Sequence, residues 1–202
     1  RDGCEIIVQP EPRATEDDLR TVLLCSPLGA LLHQRGLLPL HASVIATPKG
    51  AVAFMGNSGR GKSTLAAHFG QRGFRLLADD IAVISFGVAG RPLVAPGIPQ
   101  LKLWPKSVAE LGGQAEVLPR LRPKLEKRAL AFAEAFCHQP LPLARIYALE
   151  ADPRSPDIRL SPQAVLDRVR LLLDHTYRAQ FLPGLGTQTA HFRCLSRVAA
   201  AV

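Results

Sequence analysis

The stretch that decides the fold is Ala51-Val52-Ala53-Phe54-Met55, then Gly56-Asn57-Ser58-Gly59-Arg60-Gly61-Lys62-Ser63-Thr64, then Leu65-Ala66-Ala67-His68-Phe69. The first five residues form an apolar run of strand length, and the last begin a helix predicted over Lys62–Gln71 with Gly73 as its C-terminal cap. Between them Gly56–Ser63 fits the pattern GxxxxGK[ST], in the strand–turn–helix context that pattern requires. The glycines let backbone N–H groups converge on an anion without Cβ clashes, and the helix N-terminus adds its partial positive charge. In such a loop Lys62 reaches the terminal phosphates of a nucleotide and the Ser63 hydroxyl holds Mg²⁺. Gly56, Asn57, Ser58, Gly59, Arg60, Gly61, Lys62, Ser63 and Thr64 are therefore the expected ATP-binding residues.

Working outward, His41–Ala46 is β-branched and apolar, a buried strand joined to Ala51–Met55 as a hairpin through Pro48-Lys49-Gly50. After the helix, Phe74–Ala78 returns as a strand and ends in Asp79-Asp80, 17 residues past Lys62. If the crossover is parallel and right-handed, both strands end on one edge of the sheet and the acid pair faces the phosphate loop. Two adjacent carboxylates beside a triphosphate can divide two tasks, binding Mg²⁺ and accepting a proton from an attacking hydroxyl. Successive strand residues point to opposite faces, so only a turn at the strand end lets both serve.

The rest of the chain reads as α/β. Glu5–Gln9 is expected as a short strand, Thr15–Cys25 as a helix capped near Thr15, and Ser26-Pro27 restarts a helix that Gly36 ends. Ile81–Phe86 is β-rich. Prolines 92, 96, 99 and 105 imply edge strands and loops around Leu101–Trp104, followed by a short helix Pro105–Leu111. Arg120–Arg128 carries five basic residues against one acid and is expected to contain a loop. Arg145–Ala151 alternates like a strand. Ser161–Tyr177 is a helix with a Val165/Leu166/Val169/Leu172/Leu173 stripe, and Thr187–Val202 is a last helix. Trp104, the only tryptophan, reads as a core anchor, with stacking on adenine as the alternative. The organisation expected is one domain over 1–202, with a nucleotide core at about 37–104 and a C-terminal substrate region at about 144–202.

Composition narrows the partners. The chain has 202 residues, 47% hydrophobic and 21% charged, with a net charge of +8. At that length roughly 70% of the unfolded surface can be buried. The longest charge-free runs, Thr21–Gln34 and Gly36–Pro48, are too short for a membrane span, and no signal peptide is legible. The chain begins at Arg1 rather than Met, as an excised part of a longer protein would. Four dispersed cysteines without a CxxC pair are expected to be reduced and buried in a cytoplasmic protein. Arginine outnumbers lysine 19 to 6, favouring planar recognition of phosphate or carboxylate. Nucleic acid is not expected, because the 11 aromatics do not interleave with arginine as a stacking platform would.

Three segments, Leu40-His41-Ala42-Ser43-Val44, Gly56–Thr64 and Arg75-Leu76-Leu77-Ala78-Asp79-Asp80, resemble the catalytic domain of HPr kinase/phosphorylase. That family shares its fold with ATP-dependent phosphoenolpyruvate carboxykinases. Leu101-Lys102-Leu103-Trp104-Pro105, Lys127-Arg128-Ala129-Leu130 and His175-Thr176-Tyr177-Arg178 are similar to shorter relatives in bacterial peptide-biosynthesis clusters. Some of those relatives phosphorylate a serine at the C-terminal end of a lasso-peptide precursor.

The resemblance implies a P-loop-containing HPr kinase/phosphoenolpyruvate carboxykinase-like fold. It makes Asp79 the general base, His41 its orienting partner and Asp80 a Mg²⁺ ligand with Ser63. Read from the residues alone, Arg128 or Lys127 can neutralise charge on the transferred phosphoryl group, with a solvated basic loop as the alternative. Thr64 stands where true HPr kinases carry Glu, and Gly97-Ile98-Pro99-Gln100 replaces their Glu-rich signature. HPr itself and phosphorolysis are therefore not implied. The expectation is an ATP- and Mg²⁺-dependent kinase of a serine on a peptide or small protein, with homo-oligomerisation left open. Kinase action on a free amino acid or other small hydroxyl compound, or a non-catalytic nucleotide-binding module, are the alternatives.

Overall fold

The chain forms a seven-stranded mixed sheet covered on both faces. The computed structural model describes residues 3–122, 125–152 and 157–202. Two helices come first, α1 (Glu16–Leu23) and α2 (Ser26–Gln34). The strands β1 (Leu38–Leu40), β2 (Ala42–Thr47) and β3 (Gly50–Met55) follow. Next come α3 (Lys62–Gln71), β4 (Arg75–Ala78), β5 (Ala82–Phe86) and β6 (Pro92–Val94). The chain continues through β7 (Gln100–Leu103), α4 (Pro105–Glu110), β8 (Arg120–Arg122), β9 (Leu125–Ala131) and β10 (Leu141–Ala148). It closes with α5 (Val165–Asp174), the single turn α6 (Leu182–Leu185) and α7 (Gln188–Ala201). The large sheet runs β1-β5-β6-β10-β3-β2-β4, and β7-β9-β8 form a smaller one.

The hairpin expected from Pro48-Lys49 is present, with Thr47 opposite Gly50 and Ala42 opposite Met55. β2 also pairs antiparallel with β4. β3 and β4 are therefore parallel to each other with β2 between them, and both end at the edge where β2 begins. That placement sets the glycine-rich loop and the acid pair side by side.

Alternation along β2 divides the core. Ala42, Val44 and Ala46 face a cluster closed by Leu172 of α5 and by Leu195, Val198 and Ala199 of α7. Ile45 faces the other way, with Phe54, Leu76, Ala66 and Ala67 of α3, Leu101 and Leu103 of β7 and Val108 of α4. Ser43 shares the Ile45 side, the side of α3.

Several expectations are corrected. Glu5–Gln9 is exposed and forms no strand; with none of its side chains buried, nothing offsets the entropy of ordering it in a sheet. β1 was not foreseen because Pro39 sits in its centre, which an edge strand tolerates. The α5 stripe is only partly buried: Leu172 is covered, whereas Val165, Leu166 and Leu173 are exposed. Of the cysteines only Cys137 is buried, Cys4 is exposed, and all four are free thiols. Among the described residues no helix is long and apolar enough to cross a membrane.

His191, which reads as a surface residue in the sequence, is buried against His33, their rings 5.5 Å apart edge to face. His191 Nε2 lies 3.1 Å from Thr176 Oγ1, and His33 Nε2 donates to the Tyr177 carbonyl at 2.8 Å. This pair ties α2 and α7 to the segment that follows α5. Burial, with His33 beside it, pushes His191 down to about 4. A depressed histidine leaves the unfolded chain holding more protons, so its contribution is complete above the unfolded value near 6.5 and is lost as pH falls toward 4. From pH 7 to 5 the loss for His191 is about 2 kcal/mol. Urea unfolding of wild type and His191→Gln at both pH values checks this: the variant should lose less stability between them. Equal losses would refute the assignment.

Candidate active site

The loop Gly56–Gly61 leaves the C-terminal end of β3 and enters α3. Gly59 and Gly61 have φ of 83° and 86°, a region side-chain-bearing residues rarely occupy, although a Cβ at either would meet nothing. Their glycines answer a backbone requirement rather than a steric one. Lys62 is buried, and its Nζ donates to the carbonyls of Gly56 at 2.7 Å and Asn57 at 3.2 Å. Burial lowers its pKa, with Asp79 and Asp80 opposing.

The acid pair ends β4 in the turn that simultaneous access requires. Asp80 has φ of 71°, a left-handed conformation that aspartate tolerates better than most residues. The two carboxylates then occupy different surroundings. Asp79 is buried; its Oδ1 accepts from Ser43 Oγ at 2.6 Å and Ser63 Oγ at 2.8 Å, and its Oδ2 from the Lys102 backbone N–H at 2.8 Å. Burial raises its pKa against those hydrogen bonds.

Asp80 lines the cleft instead, together with His41, Ser58, Lys62, Lys102 and Trp104. Its Oδ2 receives the Lys102 ammonium at 2.7 Å. Burial alone would raise the Asp80 pKa, but the Lys102 charge and hydrogen bond outweigh it and the net shift is downward. Asp80 is thus held ionised.

His41 partners Asp80, not Asp79. Its Nδ1 lies 3.0 Å from the Asp80 carbonyl oxygen and 3.4 Å from Oδ1. A carbonyl only accepts, so Nδ1 carries the proton and Nε2 is left bare. Burial, then the Lys62 charge, lowers the His41 pKa and keeps the ring neutral near pH 7. The backbone N–H of His41 donates to the His175 carbonyl at 2.8 Å, and the Tyr177 ring lies 6.2 Å from the imidazole.

The structure thus gathers Ser58, Gly59, Gly61, Lys62, Ser63, Thr64, His41, Asp80 and Lys127 around one cleft. Gly56 and Asn57 stand behind it as the carbonyl seat of Lys62. The Arg60 side chain is exposed and outside the lining, contrary to its expected place at the phosphates. Arg128 is also misplaced by the sequence reading. Neighbours on β9 face opposite ways, so Lys127 enters the cleft while buried Arg128 turns under the small sheet, its guanidinium 3.6 Å from Glu126.

Glu126 also pairs with Arg120, and Lys124 lies outside the described residues. The basic run therefore contributes Lys127 alone to the cleft lining among the described residues. In the C-terminal third, Arg178 packs over Tyr177, Arg197 lies 3.7 Å over Phe86, and Arg168 bonds the carbonyls of Ala199 and Val202. These arginines brace the fold.

Ser43 and Lys102 were missed as functional residues. Both lie in segments whose similarity was visible, but strand alternation alone does not reveal that they converge on Asp79 from two sheets.

No family model matches this chain, and no curated protein matches it. Among solved structures it is similar to the HPr(Ser) kinase/phosphatase from Coxiella burnetii, with a TM-score of 0.40 and 15% sequence identity. That likeness covers 59% of this chain and 64% of the other, so it spans less than two thirds of that protein.

Proposed function

We propose that this chain is a Mg²⁺-dependent phosphotransferase that moves the γ-phosphate of ATP to a serine hydroxyl of a peptide or small protein. The observation that carries the reading is the 2.8 Å hydrogen bond from Ser63 of the GxxxxGKS loop to Asp79, beside an ionised Asp80 in the Lys62 cleft.

The donor set suits Mg²⁺. Ser63 lines the cleft with a hard oxygen, which buried Asp79 holds in place from behind. Mg²⁺ is held through one or two protein oxygens plus substrate phosphates in such sites. When bound it would neutralise charge on the phosphate oxygens.

The chain's own residues supply the rest. Backbone N–H groups of the loop and the Lys62 ammonium bind and orient the phosphates. Asp79 fixes the Ser63 hydroxyl. Asp80, open to the cleft, takes the proton of the acceptor hydroxyl as its oxygen bonds to the γ-phosphorus. The β,γ-bridging O–P bond breaks and ADP leaves. His41 and Lys102 hold Asp80 in place, and Lys102 keeps it ionised. This assigns the proton to Asp80 rather than Asp79, because a general base must reach the acceptor before its pKa matters.

The acceptor is tested with γ-labelled ATP against serine-containing precursor-type peptides, free serine and a no-acceptor control. Label in peptide only is the expected result. Label in free serine moves the acceptor to a small hydroxyl compound. ATP binding without product across the panel overturns the transferase reading.

A further inference from the structure

Thr64, Ser107 and Trp104 line the same cleft as His41, Asp80 and Lys102, where phosphoryl transfer is proposed. Thr64 follows the phosphate-binding Ser63 on α3, and its hydroxyl donates to Ser107 Oγ of α4 at 2.8 Å, away from Asp79.

Trp104 does not anchor the core as its sequence context suggests. It is 41% exposed, although the strand before it buries Leu101 and Leu103 almost completely. Alternation continued from β7 puts Trp104 on the side of Lys102, facing the cleft. Lys102 is opposite Ala129 in the register, so Lys127 shares that side, and its ammonium sits 5.5 Å from the Trp104 ring centroid. Pro105, in the first turn of α4, restricts the preceding residue to extended backbone, and Trp104 has φ −74° and ψ 153°. The indole is thus presented on a rigid strand-to-helix junction with much of its surface uncovered.

We propose that Trp104 is the stacking platform for the base of the bound nucleotide, with Lys127 and the Thr64–Ser107 pair bounding that subsite. The inference rests on the nucleotide reading above and adds to it the place of the base. Stacking tolerates any base, so the subsite contributes affinity more than discrimination between purines.

Because Trp104 is the only tryptophan, intrinsic emission reports the subsite directly. The probes are Mg²⁺ with ATP and Mg²⁺ with inorganic tripolyphosphate, titrated by fluorescence and by calorimetry. ATP is expected to quench the emission and to bind about tenfold or more tighter than tripolyphosphate, in line with the worth of base–aromatic stacking. In Trp104→Ala, calorimetry should show ATP affinity falling to about that of tripolyphosphate, whose own affinity stays unchanged. Trp104→Phe should keep most of the difference.

ATP binding equally tight in Trp104→Ala, or without quenching in the wild type, overturns the subsite and leaves the nucleotide reading standing. Quenching by acceptor peptide instead of ATP also overturns it and assigns Trp104 to the acceptor. Binding of neither ATP nor tripolyphosphate removes both readings.

Discussion

Asp80→Asn is expected to lower phosphoryl transfer by about 10²–10⁴-fold, the usual worth of a positioned general base, while ATP affinity stays close to wild type. Asparagine also accepts left-handed backbone, so the φ of 71° at this position does not penalise the variant. Asp79→Asn should behave differently. Asp79 receives three hydrogen bonds in a buried site; an asparagine that keeps the Lys102 N–H on its carbonyl oxygen turns its NH₂ toward Ser43 and Ser63, whose hydroxyls must then rotate to accept and lose a charged partner. The cost is about 1–3 kcal/mol of folding stability, and the Ser63 hydroxyl loses its charged acceptor. The expected outcome is a lower unfolding midpoint together with weakened Mg²⁺-dependent ATP binding.

Measuring transfer, ATP affinity and stability for both variants separates the roles. Normal ATP affinity with lost transfer in Asp79→Asn, and near-normal turnover in Asp80→Asn, would return the base to Asp79. Lys102→Met gives an internal check. Removing the ammonium that holds the Asp80 pKa down should move the acid limb of kcat/KM to higher pH.

Lys62→Ala is the second large effect expected. The ammonium is buried, seated on the Gly56 and Asn57 carbonyls, and aimed at the cleft in which the acid pair lies. No other residue of the loop brings a positive charge into that lining, since Arg60 turns to solvent. Removing one preorganised charge from a phosphoryl-transfer site costs on the order of 10²–10³ in rate. ATP affinity should fall as well, because the same charge meets the ground-state phosphates. Arginine should not rescue, since its planar fork does not fit a seat made for a single nitrogen. Turnover within a few-fold of wild type in Lys62→Ala would remove this lysine, and the loop with it, from the chemistry.

The local elements around the glycine-rich loop were legible in the sequence for identifiable reasons. The α3 helix runs Lys62–Gln71 as expected, since the glycines before it and Gly73 after it bound an uninterrupted helical segment. The β2–β3 hairpin follows from a two-residue Pro-Lys turn between apolar runs. Less legible were elements whose partners are distant. β1 depends on edge placement to accommodate Pro39, and β8 and β9 form a sheet with β7 that the basic run does not announce. On α5 the apolar stripe did not reveal which of its residues would be covered.

Spacing puts a glycine loop, a lysine, a serine and an acid pair in one strand–helix–strand unit, and the pairing of β3 and β4 with β2 between them then brings them to one sheet edge. The difference between a buried Asp79 and a cleft-facing Asp80 comes from packing. His41 just before β2, Lys102 on β7 and Lys127 on β9 reach the cleft from separate parts of two sheets, so their placement depends on packing rather than spacing. That packing buries Asp79 under three donors and leaves Asp80 facing the cleft. It also turns Arg128 away and brings Trp104 out of the core, reversing what charge and hydrophobicity alone imply.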